Sequence, residues 1–408
     1  MNTGRIKTLR AYFLLIVFAN TVSNLHAQQK WGGQIERKDG INISFTFDWK
    51  TENGKPVWYI HNAEEKIKVT NITKAGDSLI VQMPVFESQF RIKKNGDKAE
   101  GVWIKGGAAR TTILPFTAVL NGKRFPSTAK ATKNVNGRWA VNFGDSKADD
   151  LSVGEFKQTG NRLTGTFLNA TGDYRYLEGI IAGDSLFLSG FDGGHAFTFS
   201  GKIENDQLSG QHYSGATFKE DWKATKDANA KVPTESVAMF VKPGEDSILN
   251  FTFKDLQGNT VSIKDDRFKN KAIVIQLMGS WCPNCMDETA FLSEYYNKNK
   301  QRGFEVIALA YEYSTDWERS IKSLQKFKDR YNVAYTILNT EVTVNDSLRT
   351  EKTLPELTPI KFFPSSVILD KKGKVRKLDT GFNGPATGVH YDEYKKEFEE
   401  TIDKILSE

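Results

Sequence analysis

Between Trp31 and about Trp222, apolar and polar residues alternate in short runs that end at turn dipeptides. INISFTFDW (41–49) precedes Asn53-Gly54, FRIKK (90–94) precedes Asn95-Gly96, and LFLSGF (186–191) precedes Gly193-Gly194. Alternate residues of a strand face opposite sides, so such runs bury one face only; turn signals about every eight to twelve residues mark an antiparallel sandwich or barrel. No long helical spacing interrupts the pattern, so this region reads as all-β.

Within it, Ala75-Gly76-Asp77-Ser78-Leu79 recurs as Ala182-Gly183-Asp184-Ser185-Leu186, and each copy is followed by alternating strands and an expected turn at a glycine, Glu100-Gly101 and Ser209-Gly210. Two similar β-modules, 30–125 and 135–225, are the natural parse, although one larger lipocalin-like barrel gives the same pattern. Trp49, Trp58, Trp103, Trp139 and Trp222 suit a filled core better than a ligand cavity. His61, His195 and His212 lack metal-ligand spacing and read as surface or turn residues.

A linker is expected over 226–243, most clearly in the polar run KATKDANAKVPTES (223–236), and beyond it the periodicity changes. FTFKDLQGNTVSI (251–263) reads as a hairpin turning at Gln257-Gly258-Asn259. The apolar run AIVIQLM (272–278) is a buried strand, followed by a helix to about Lys300 and a strand FEVIALAY (304–311). Trp317, Ile321, Leu324 and Phe327 repeat at helical spacing. Strands YTIL (335–338), SVILD (366–370) and VRKLDTG (375–381) and a terminal helix from about Asp392 follow. Strands and helices alternating in this way define an α/β domain over 244–408 with a mixed sheet. The fold class is therefore an all-β region, of sandwich or lipocalin-like barrel modules, followed by a C-terminal α/β domain.

Both cysteines of the 408-residue chain lie in this domain, in GSWCPNC (279–285). A strand running straight into a helix places Cys282 at the helix N-terminus, where free N–H groups and the helix dipole favour a thiolate. Cys285 sits one turn on, able to attack a mixed disulfide formed by Cys282, and Pro283 fits the first helical position. A zinc half-site would need two further ligands, and neither a second cysteine pair nor a nearby histidine supplies them. A purely structural disulfide between these positions would close a tiny loop and remove little unfolded-state entropy.

The N-terminus carries an address. Arg5, Lys7 and Arg10 precede the apolar Ala11–Ala19, and Leu25-His26-Ala27 forms a cleavage site, so export after cleavage at Ala27 is expected, with an uncleaved anchor as the alternative. Loss of residues 1–27, which hold three positive charges and no acids, lowers the net charge from +6 to +3. That balance, without a basic aromatic stripe, gives no argument for nucleic acid.

In context, 244–408 resembles the thioredoxin-like thiol-disulfide oxidoreductases of the TlpA/ResA kind. The resemblance rests on the hairpin before the active strand, on KAIVIQLMGSWCPNCMDE (271–288) and on FFPSSVILDKKGKV (362–375). It implies that Pro364 is cis and faces the cysteines and that the Phe363 backbone pairs with an extended substrate; Trp281 either shields the pair and shapes the docking surface or serves plain packing. Ordinary thioredoxins carry a buried aspartate where this chain has Gln276. The TlpA/ResA kind instead carries a glutamate at the place of Glu288, on the same helix face as Cys285. Held near two thiols in an apolar site, its carboxylate would have a raised pKa and suit the proton of Cys285; Asp287 beside it reads as a partner of the helix dipole. Peroxiredoxins share the fold, but their proline and threonine or serine positions hold Ile275 and Gly279 here. The segment 341–361 is long for the family, and Phe362-Phe363 crowds the proline.

The reading is an exported, periplasmic disulfide reductase without cofactor or metal, acting on disulfide-containing envelope proteins and recharged by a membrane thiol donor. Catalysis is assigned to Cys282, Cys285 and Glu288, and substrate binding to Trp281, Phe363 and Pro364. An oxidase or isomerase shares the motif and differs in reduction potential. In the alternative from another class, the β-region binds a ligand or envelope partner and the redox domain is auxiliary.

Overall fold

The computed structural model describes residues 29–145 and 151–408. The expected signal segment, 1–27, lies outside them. Among the described residues no helix is long and apolar enough to cross a membrane.

The chain folds into three sheets. The first joins β1 (Gln29–Glu36), β2 (Asn42–Glu52), β3 (Lys55–Asn62), β4 (Glu65–Val69), β5 (Ile72–Ala75), β6 (Ser78–Gln82), β7 (Ser88–Asn95), β8 (Lys98–Lys105) and β9 (Thr112–Leu120). Its order is β4-β3-β2-β1-β9-β8-β7-β6-β5, an antiparallel meander whose first and last strands pair and whose open seam lies between β4 and β5. The second joins β10 (Gly137–Phe143), β11 (Ser152–Thr159), β12 (Arg162–Asn169), β13 (Gly172–Asp173), β14 (Leu177–Ala182), β15 (Ser185–Phe191), β16 (Ala196–Glu204), β17 (Gln207–Ser214) and β18 (Phe218–Lys226). Here β11 pairs with both β10 and β12, closing an antiparallel barrel.

The repeated pentapeptide occupies the same place in each barrel. Gly76 and Gly183 take the left-handed conformation in the hairpins β5–β6 and β14–β15. The following aspartates pair with a lysine of the next strand but one, Asp77 with Lys93 and Asp184 with Lys202, both at 2.6 Å. Glu100-Gly101 and Ser209-Gly210 differ from expectation, lying inside β8 and β17 rather than at turns. A Cβ on either glycine would meet neighbouring backbone, of Arg91 or Ser200, so close strand approach explains them.

Aromatic side chains fill both interiors. Phe45, Phe47, Trp58, Phe90 and Phe116 pack in the first, and Trp139, Phe167, Phe199 and Trp222 in the second. The barrels are also joined: Phe191, at the end of β15, enters the first core and stacks on Phe45 with ring centroids 4.4 Å apart. One histidine departs from the surface or turn reading: His212, buried on β17, is 2.8 Å from Glu220 and stacked on Phe199. It lies on an inward-facing strand position, which a histidine fills when one ring nitrogen finds a carboxylate. His195 lies in the turn between β15 and β16, with its ring 3.1 Å from Asp192.

The stretch read as a linker is shorter in the fold, because β18 runs to Lys226 and Met239 already packs in the third core. That core surrounds a sheet of β19 (Thr252–Asp255), β20 (Thr260–Ser262), β21 (Ala272–Met278), β22 (Phe304–Ala310), β23 (Thr336–Asn339), β24 (Ser365–Leu369) and β25 (Val375–Thr380), in the order β20-β19-β23-β22-β21-β24-β25. β21 is parallel to β22 and antiparallel to β24. Every residue of β21 and β22 is buried, as continuous apolar runs require in a sheet covered on both faces. The helices are α1 (Pro283–Asn299), α2 (Trp317–Tyr331), the short α3 (Arg349–Thr353) inside the 341–361 segment, and α4 (Val389–Ser407), which starts three residues before Asp392.

Candidate functional site

β21 is an interior strand of its sheet, between β22 and β24, and delivers GSWCPNC to the start of α1. Cys282 is the N-cap of α1, with extended backbone, and its Sγ accepts the Cys285 N–H at 3.2 Å; Pro283 follows in the first turn. The two cysteines are joined as a disulfide, with Cα atoms 5.2 Å apart. Cys282 is 2% exposed and Cys285 fully buried. A sulfur that accepts a helix N-terminal N–H gains most from that contact as a thiolate.

The approach to the pair is held by the end of β22. Trp281 Nε1 donates to the Tyr311 carbonyl at 2.9 Å, and its ring stacks on Tyr313 and meets Phe363 edge-on. The Ser280 N–H and hydroxyl both donate to Glu312, at 2.8 and 2.6 Å. Burial pushes the Glu312 carboxyl up to about 7. Sequence reasoning missed Glu312, and its position directly after the apolar run FEVIALAY was the available signal. The Phe363–Pro364 bond is cis, and the Pro364 carbonyl accepts from Gly381 N–H at 2.9 Å. The structure thus brings Trp281, Cys282, Cys285 and Phe363 into one cluster.

Behind the cysteines, Glu288 is buried on α1, and Gln276 of β21 donates to its carboxylate at 2.8 Å. The Tyr335 hydroxyl donates to Gln276 Oε1 at 3.4 Å. Burial pushes the Glu288 carboxyl up to about 8, against the lowering effect of the Gln276 hydrogen bond. Such a group holds its proton at neutral pH and exchanges it within the range where thiols ionise.

Asp287 departs from the dipole reading. It turns away from the helix axis and receives a bidentate ion pair from Arg175 of the second barrel, both bonds at 2.8 Å. Arg175 also reaches Glu65 of the first barrel at 2.7 Å, and Asn284, between the cysteines, donates to Asp173. These partners stand more than a hundred residues from the motif, and no local pattern marks them.

Among the described residues no cluster of histidine, cysteine or carboxylate side chains has the arrangement of a metal site. The fold and the pair define a thioredoxin-like domain bearing a thiol-disulfide redox centre. Residues 242–392 match the family model described as Redoxin. Over 147 residues, 36% of this chain and 73% of the relative, the domain is 28% identical to thiol-disulfide oxidoreductase ResA of Bacillus thuringiensis subsp. konkukian (strain 97-27). It is 25% identical to ResA of Bacillus subtilis (strain 168) over 133 residues, 32% of this chain and 64% of that one. A solved thiol-disulfide oxidoreductase from Bacteroides fragilis NCTC 9343 aligns with 36% of this chain and 99% of its own at 16% identity, with a TM-score of 0.28. The C-terminal domain is thus similar in sequence to the ResA thiol-disulfide oxidoreductases, and the two barrels stand outside the matched region.

Proposed function

We propose that the protein is an exported disulfide reductase acting on periplasmic proteins. The observation that carries this reading is Cys282 as N-cap of α1, accepting the Cys285 N–H, with Glu288 buried one turn further on. In the reduced protein the Cys282 thiolate attacks a substrate disulfide, forming a mixed disulfide and releasing one substrate thiolate, which takes a proton from solvent. The Cys285 thiol passes its proton to Glu288 in that residue's ionised form, which becomes populated as pH approaches about 8, and attacks Cys282 Sγ. The second substrate thiolate leaves, two electrons have passed to the substrate, and the Cys282–Cys285 disulfide remains. Trp281 and the Phe363–Pro364 segment line the approach, and a membrane thiol donor returns the two electrons. Export is supported by Arg5, Lys7, Arg10 and the apolar Ala11–Ala19. The filled barrel interiors weigh against a lumenal ligand as the main function.

Trapping with Cys285→Ser tests the reading. The variant should accumulate mixed disulfides between Cys282 and envelope proteins, and an absence of adducts with tight partner binding by the barrels would favour the binding-module reading. The reduction potential tests the direction: a value near about −120 mV, as in strong oxidants, would sink the reductase assignment.

A further inference from the structure

Thiol-disulfide exchange requires an attacking sulfur to approach Cys282 Sγ in line with the bond that breaks, so access to that atom governs the reaction. In this structure Cys282 is 2% exposed, and the chain's own barrels stand against the residues around it. The loop from Asn169 to Tyr176 of the second barrel lies on the face where the cysteines emerge. A Cβ on Gly172 would stand 2.9 Å from the Asn284 side chain, and one on Gly381, the residue bonded to the Pro364 carbonyl, 2.6 Å from the Thr171 backbone. Asp173 accepts from Asn284 Nδ2 at 3.2 Å through its carbonyl and 3.3 Å through its carboxylate, and from Gly384 N–H at 2.7 Å. Val85 and Phe86 of the first barrel join the apolar cluster that contains both cysteines.

The two kinds of interface differ. The barrels are joined to each other through aromatic packing at Phe191. Around the cysteines they meet the redox domain through Val85 and Phe86 and through hydrogen bonds and ion pairs, Arg175–Asp287 and Arg319–Glu87 among them, polar groups that water satisfies when the surfaces part. Polar interfaces between domains are the ones across which domains move.

We propose that the barrels act as a lid on the redox centre, and that Arg175 and Asp173 are access-determining residues: an extended substrate segment must displace the Asn169–Tyr176 loop before Cys282 reacts. This rests on the redox reading above. Displacement exchanges the loop's contacts on Asn284 and Gly384 for those of the substrate, so a chain presented in extended form enters where a folded surface does not.

The test uses the full chain with Cys282 as its sole thiol (Cys285→Ser) and measures alkylation by iodoacetamide across pH, comparing the limiting rates of the thiolate. If the closed form dominates, the observed rate is the intrinsic rate scaled by the open fraction, and Arg175→Ala raises it about tenfold or more. Loss of a nearby cation would by itself disfavour the thiolate, and comparison at limiting pH removes that effect. Should Arg175→Ala lose its near-ultraviolet circular dichroism, Asp173→Asn takes its place, with a rise in the same direction. Rates equal in parent and folded variant overturn the lid. Insulin reduction by the chain with both cysteines separates the two claims: absent turnover in wild type and Arg175→Ala alike sinks the redox reading, whereas turnover with equal alkylation rates sinks the lid alone.

Discussion

The Gln276 side-chain amide donates to the Glu288 carboxylate at 2.8 Å, and both residues are buried, Gln276 completely. A neutral amide, where ordinary thioredoxins carry an acid, orients the glutamate without adding a second charge to the site. The glutamate keeps its proton because burial disfavours the ionised form more than the single amide stabilises it.

The pH dependence follows from that balance. Glu288 titrates at about 8 in the fold, above an unfolded carboxyl near about 4.3, so its contribution to stability is complete below the unfolded value and is lost as pH rises toward 8. Urea midpoints of Glu288→Gln should therefore fall less between pH 5 and pH 8 than those of wild type, by a few kcal/mol in unfolding free energy. In single-turnover reduction the same variant should accumulate mixed disulfide, with resolution slowed about a hundredfold or more. Unchanged resolution would remove Glu288 from the mechanism.

Ser280→Ala takes from Glu312 its shortest hydrogen bond and leaves a buried carboxyl oxygen without that partner. Chemical denaturation should register a loss of about 1–3 kcal/mol. The Glu312 carboxyl, already raised to about 7, should titrate higher still, which carbon-13 NMR of the side chain would read directly.

Gly279→Ala places a methyl group against the Trp281 indole, whose nitrogen is the nearest atom. The ring must leave the Tyr311 carbonyl or the backbone must shift, at about 1–3 kcal/mol. Tryptophan fluorescence, which depends on this hydrogen bond and on the Tyr313 stack, should change together with the rate of disulfide reduction. A variant of wild-type fluorescence and midpoint would contradict the packing described.

Phe191→Ala empties the seat of the second barrel in the first. The loss should be about 3–5 kcal/mol, concentrated in the first barrel's core around Phe45 and Trp103. Hydrogen exchange would show it as faster opening of β2 and β7, with little change in β21 and β22, which do not touch this residue.

Much of this protein was legible as a sequence. Alternation of period two with turn glycines gave antiparallel β-structure, because a half-buried strand cannot be written otherwise. The continuous apolar run Ala272–Met278, ending in Trp-Cys-Pro-Asn-Cys, gave a central strand and a helix N-cap thiol, because both are local consequences of the backbone. The burial of His212 and the in-strand glycines at 101 and 210 escaped, since they depend on which face of the sheet turns inward and on how closely its strands approach. What only the tertiary structure decided is what surrounds the cysteines: Arg175 and Asp173 come from a barrel more than a hundred residues away, and Glu312 from just beyond the end of the neighbouring strand. Spacing along a chain carries no information about such contacts; they arise where separately folded surfaces meet, and there the Asp287 that looked like a helix-dipole partner became the anchor of an ion pair between domains.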